Sequence, residues 1–185
     1  MSESNRDVDV RQDLALIARW KEGDQRAATE IVERHAQALA RFAATHAVRE
    51  NVDELVQDTF VRAFNSIESF RADSSLRTWL FTILKRLVLD RQRAERRSRN
   101  RVELEEDHAV QEFDALDGMV ADETMLRVRQ AVERLSPMQR EVFTLRVTEG
   151  MAYSDIAKVV DSTEGACRVH YHNAMRAVKE HLSDD

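Results

Sequence analysis

Cysteine occurs once, proline once and glycine four times in 185 residues. A single cysteine excludes an internal disulfide framework. So few turn formers, with aromatics at only 6%, leave a chain rich in Ala, Leu, Val, Glu and Arg, which favours helix over strand. No apolar run approaches the roughly 20 residues that cross a bilayer. The opening residues, MSESNRDVDV, have no apolar core of the signal-peptide kind. These absences predict an all-α protein of the reducing cytoplasm, without membrane insertion. Phosphate-binding glycine loops, nucleophile–base pairs and metal-ligand spacings are also missing, so the expectation is a non-enzyme with no cofactor and no metal.

The net charge of -6 argues against a nucleic-acid partner until its distribution is considered. From Lys85 to Arg101 the basic residues are Lys85, Arg86, Arg91, Arg93, Arg96, Arg97, Arg99 and Arg101, opposed only by Asp90 and Glu95. From Val102 to Glu123 the sign reverses and Lys and Arg vanish. A basic block draws phosphates, or is simply a solvated helix face; an acidic block reads as a flexible tether or interaction tail. The reversal marks a boundary between two domains, at residues 11–99 and 124–183, with 100–123 as the acidic linker.

Four helices are expected in the first domain. A short amphipathic helix carries Leu14, Ile17, Ala18 and Lys21 on one stripe and stops at Gly23. The next follows Asp24 as N-cap, with Ala28, Ile31, Val32, His35, Leu39 and Phe42 inward. A third opens at Asn51 with Glu54 three residues on, close to a capping box, and buries Leu55, Val56, Phe60, Phe64 and Ile67. After the break RADSS, the residues Leu76, Trp79, Leu80, Ile83, Leu84, Leu87 and Val88 make a long core stripe. Trp79 belongs to it as a packing residue.

In the second domain, Ser136, Pro137 and Gln139 form a capping box with proline at N1. Gly150 closes that helix. YSDIAKVV, a tight turn and TEGACRVHYHNAMRAVKEHL then follow, as short helix, turn and longer helix: a helix-turn-helix. Ser162 is the expected cap of the second helix, and Cys167, Tyr171, Ala174 and Val178 its core stripe. Within CRVHYHNAMR, Cys167 and His170 lie about 60° apart around the helix while His172 is about 140° from Cys167, so the three cannot share an ion. The outward face carries Arg168, Val169, His172, Asn173 and Arg176. Arg and Asn suit bidentate readout of guanine and adenine in the major groove, and His can donate to a phosphate or base acceptor.

Taken together, DELVQDTFVRAF, SFRADSSLRTWLFTILKRLVLD, LSPMQREVFTLRVTEGMAYSDIA and the helix after them resemble the extracytoplasmic-function (ECF) sigma factors of the sigma-70 family. The resemblance covers Leu14 to Leu182. It implies a protein that binds core RNA polymerase, through the β′ clamp helices and the β subunit, and directs it to promoter DNA bearing -35 and -10 elements. An anti-sigma factor is the further partner implied. By resemblance Glu54, Gln57 and Asp58 dock on the clamp helices; Arg62, Ser66, Phe70 and Arg86 hold the single-stranded -10 element around the RADSS loop; Arg146, Arg168, Val169, His172, Asn173 and Arg176 meet the -35 element. An aromatic ring flanked by arginines suits an unstacked base. The linker would lie in the active-site cleft of the polymerase.

The chain departs from the family pattern at Ala152, where a capping Ser is usual, at Asp161, where the turn usually has Gly, and at Val169, His170 and Asn173, where the family carries more basic or polar residues. The alternative reading is a stand-alone regulator, with the same helix-turn-helix joined to a helical sensing or dimerisation domain. That rival gives no reason for ELVQDTF or FRADSSLRTWL.

Overall fold

The computed structural model describes residues 3–46, 52–99 and 123–183. Among them are eight α-helices and no strand: α1 Glu3–Lys21, α2 Gln25–Ala44, α3 Val52–Asn65, α4 Leu76–Arg99, α5 Glu123–Glu133, α6 Pro137–Phe143, α7 Tyr153–Val160 and α8 Glu164–Ser183. The Asn51 cap and nearly all of the acidic linker lie outside the described residues.

Helices α1 to α4 form the N-terminal bundle, with α1 on α2, α3 on α2 and α4, and α2 on α4. The Asp24 carboxylate accepts the Arg26 N–H at 3.0 Å and starts α2. Helix α1 is longer than expected, and its buried face is turned: Asp13, Leu16 and Ile17 are inside, whereas Leu14 is 40% exposed. The polar Asp13 sits inside because the Arg34 and His35 side chains of α2 meet it at 3.0 and 3.1 Å. A hydrophobicity stripe cannot register a buried carboxylate that is paired in this way.

Along α4 the expected stripe is inside, with Trp79 and Ile83 half-buried. Thr78 and Phe81 are buried as well. Phe81 meets Phe42 edge to face at 5.4 Å. Helix α4 is covered on more than one side because α7 of the second domain also packs on it.

In the second domain α8 is the central element, packed by α5, α6 and α7. Ser136 and Gln139 form the expected reciprocal capping box. After α6 the chain widens into a π-helical turn, Thr144–Thr148. Gly150 at φ +64° then reverses it, a conformation glycine adopts without steric cost. Helix α8 is capped one residue later than expected: Thr163 Oγ accepts the Ala166 N–H at 3.1 Å, and Ser162 lies in the turn.

The two domains are not separate in space. Leu16, Phe42, Leu84 and Val88 of the first belong to one continuous apolar cluster with Val142, Leu145, Ile156 and Cys167 of the second. A smaller cluster, Ala131, Leu135, Phe143, Ala174 and Val178, belongs to the second domain alone.

Candidate nucleic-acid interface

On α8, Cys167, Ala174 and Val178 are buried while Arg168, Val169, His172 and Arg176 are exposed and Asn173 is half-buried. One face is therefore held by the core and the other presented outward. The departures act as the local chemistry requires. Ala152 occupies the N-cap of α7 without a side-chain bond, and Asp161 takes the left-handed turn position at φ +53°. Aspartate tolerates that geometry better than most residues with a Cβ. Cys167 is fully buried, and burial, followed by the nearby Glu164 carboxylate, pushes its thiol up. It behaves as a small apolar filler rather than a reactive thiol.

Arg168 does not hang free. Its guanidinium lies 4.7 Å from the centre of the Tyr153 ring and reaches Glu164 at 3.7 Å. Arg146 takes the same distance, 4.7 Å, to the same ring. It also donates to the Met151 carbonyl at 2.7 Å. The two arginines thus flank one tyrosine, which holds positive charge at the start of the exposed face of α8 by cation–π attraction. Tyr153 itself meets Tyr171 at 6.0 Å.

In the N-terminal bundle, Arg62 is exposed near the end of α3 and Ser66 Oγ donates to its carbonyl at 2.6 Å. Phe70 follows a short 3-10 turn, Ile67–Ser69, and rests on Trp79 with ring centres 5.2 Å apart. Arg86 is exposed on α4. Between Phe70 and α4 the RADSS loop carries Ala72 at φ +59°. Ser75 closes it by accepting the Thr78 N–H at 3.1 Å. A non-glycine residue in the left-handed region costs roughly 1–2 kcal/mol, and such strain persists only where the surroundings impose it.

Two acidic residues of α3, Glu54 and Asp58, share one partner. Arg91 of the basic block donates to Glu54 at 3.3 Å and to Asp58 at 3.1 Å. Gln57 instead lines a shallow groove of about 450 Å³ between α2 and α3, with Val32, Ala40, Phe60 and the exposed Val61. So α3 offers a mixed surface: Glu54 and Asp58 beside Arg91, and a largely apolar groove with Asp53 and Gln57 in its lining.

Residues with no sequence signal stand where the domains meet. The Glu149 side chain is wholly buried and receives Arg41 at 2.8 Å, with Arg77 as its second partner. Glu141, 7% exposed, receives His46 at 3.0 Å and Lys85 at 2.5 Å. Burial pushes the Glu141 carboxyl up, but the hydrogen bonds and charges of His46 and Lys85 outweigh it and hold the group below its ordinary value. Glu149 raises the Arg41 guanidinium by its hydrogen bond. These pairings join residues far apart in sequence, so no local pattern announces them.

Two family models match the chain: Sigma-70 region 2 over residues 31–98 and Sigma-70 region 4 over residues 125–178. The ECF RNA polymerase sigma-E factor of Haemophilus influenzae is 28% identical over 179 residues, 92% of this chain and 95% of its own. The protein of the same name from Escherichia coli K12 is 27% identical over 175 residues, 90% and 92% of the two chains. Among solved structures, the sigma factor RpoE of Bartonella quintana, in complex with the anti-sigma factor NepR, superposes with a TM-score of 0.71. It is 26% identical, covering 85% of this chain and 97% of that one. CnrH, in complex with the cytosolic domain of CnrY, gives 0.68 at 29% identity, over 94% and 99%. With both conserved regions matched in order and relatives aligned almost end to end, the chain belongs to the sigma-70 family, in its extracytoplasmic-function class.

Proposed function

We propose that this protein is an alternative sigma factor that binds core RNA polymerase in the cytoplasm and directs it to promoters by reading a -10 and a -35 element, without catalysing a reaction of its own. The observation that supports this best is that one chain carries two unlike surfaces whose chemistry suits nucleic acid. One is the α8 face with Arg168, Val169, His172, Asn173 and Arg176, flanked by Arg146; the other is the loop between Phe70 and Ser75, with Arg62, Ser66 and Arg86 on the helices beside it. A duplex-reading helix and an aromatic-lined loop suit different substrates, paired and unpaired DNA. On this reading α3 docks on the β′ clamp helices through Glu54, Gln57 and Asp58. Since RpoE of Bartonella quintana is found in complex with an anti-sigma factor, such a partner is expected here too.

The test is transcription in vitro with core polymerase. Core plus this protein initiates at a promoter that core alone ignores, and a folded Gln57→Ala, Asp58→Ala variant does so only at higher protein concentration. A stand-alone regulator would bind its promoter tightly without polymerase and would not enable core to initiate; that result would replace the present reading.

A further inference from the structure

Three elements of the second domain converge on one aromatic ring. Tyr153 opens α7, Arg146 lies in the π turn before it, and Arg168 and Tyr171 come from α8. Each guanidinium carbon stands 4.7 Å from the centre of the Tyr153 ring, and the Tyr171 ring meets it edge to face at 6.0 Å. Ala152 supplies no side-chain cap to α7, so these contacts give the first residue of the helix a lateral hold of another kind.

The two arginines differ in how firmly they are held. Arg146 is fixed twice, by the ring and by the bond from its Nη1 to the Met151 carbonyl at 2.7 Å. Among the described residues Arg168 has, besides the ring, Glu164 at 3.7 Å, and the two side chains are 59% and 49% exposed. An exposed i, i+4 ion pair contributes little. The ring is therefore the main restraint on Arg168. Attraction to a ring draws on the charge of the guanidinium and not on its N–H groups. Held in this way, Arg168 keeps its donors for an acceptor outside the protein, and a side chain ordered in advance loses less entropy on binding.

We propose that Tyr153 is a positioning residue for promoter recognition: its ring sets the Arg168 guanidinium where it donates to a guanine edge of the -35 element, and the Arg146 guanidinium where it meets a neighbouring phosphate. The inference rests on the sigma-factor reading for the DNA, whereas the clustering on the ring is a property of the chain alone. Pairing of arginine with guanine O6 and N7 is bidentate and demands a fixed orientation of the fork. Arg146, tied at one end to the backbone, suits a contact that sets register and carries no sequence information. Tyr153 acts through both arginines and needs neither a base contact nor its own hydroxyl.

The experiment assembles the full-length chain with core polymerase, lets it select from a promoter library randomised over the -35 element, and sequences the bound DNA. Tyr153→Phe and Tyr153→Leu are compared with the unaltered protein, each with and without Arg168→Ala, in variants that keep their helical circular dichroism. Tyr153→Phe is expected to retain the preference for guanine at one position. Tyr153→Leu lowers that preference about two- to fivefold, the weight of an exposed cation–π contact, and has no further effect there once Arg168 is alanine. In the free protein, NMR should find the Arg168 Nε–H resonance displaced by the ring current, and the displacement survives in Tyr153→Phe. A resonance at the position of a solvated arginine in the unaltered protein overturns the proposal without recourse to any variant. So does a Tyr153→Leu loss that falls alike on every sequence and in both backgrounds, which is what packing alone would produce. An equal loss in Tyr153→Phe would place the hydroxyl on the DNA and overturn it too. If the unaltered holoenzyme enriches no -35 sequence, the sigma-factor reading falls and this role with it; enrichment that Tyr153→Leu leaves untouched removes only the role of Tyr153.

Discussion

At the level of single residues, the cap of the recognition helix shows how a one-position shift arises. Ser162 and Thr163 are both capping residue types, and sequence cannot choose between them by chemistry. The backbone chooses. Asp161 uses the left-handed conformation to end α7, Ser162 is spent in the turn, and Thr163 is left to accept from Ala166. Thr163→Ala is therefore expected to cost about 1 kcal/mol, whereas Ser162→Ala should change the midpoint of denaturant unfolding little. Equal losses would return the cap to Ser162. Asp13 is the opposite case, a polar residue placed inside by partners more than 20 positions away, which a periodicity of apolar residues has no means of detecting.

Elements were far more legible than their termini or their partners. The stripes of α2, α3 and α8 and the capping box of α6 follow from residue spacing, because each helix buries one face and local chemistry sets its start. The α8 surface leads to a graded expectation. Arg168 is pre-positioned over Tyr153 near the N-terminal end of the helix. On the present reading Arg168→Ala should cost roughly 1–3 kcal/mol and relax preference at one base pair of the -35 element. Arg176, two turns on and paired only loosely with Glu180 at 3.9 Å, suits a phosphate. Its loss should weaken all promoters alike and lower the salt dependence by about one ion. Binding measured across salt concentrations on a set of single-base variants separates the two. For the -10 loop, Phe70→Ala should reduce open-complex formation on duplex promoters, since stacking on an aromatic is worth about 1–3 kcal/mol per base. Because Phe70 also packs on Trp79, the decisive comparison is with pre-melted templates. An equal loss on both kinds of template would make Phe70 a packing residue.

For the whole molecule, the sequence predicted two domains and the acidic boundary between them, but not their docking. Its polar contacts include Glu141 and Glu149, which as isolated letters resemble any other surface glutamate. It has a consequence in acid. Burial pushes the Glu141 carboxyl up, but its partners His46 and Lys85 outweigh that and hold it below its ordinary value of 4.5. A carboxyl depressed in the folded state contributes stability that is present above its unfolded value and is lost as pH falls through the folded one. Thermal midpoints measured from pH 6 downward should therefore decline below about pH 4.5, and less steeply in Glu141→Gln; parallel declines would exclude Glu141 as the source. The aromatic residues also divide between the domains. Trp20 and Trp79 lie in the N-terminal bundle, packed on Phe64 and Phe70, while Tyr153 and Tyr171 face each other in the second domain. With two tryptophans and two tyrosines in the chain, the protein is optically bipartite: red-edge excitation addresses one domain alone, and energy passed from tyrosine to tryptophan must cross from one domain to the other.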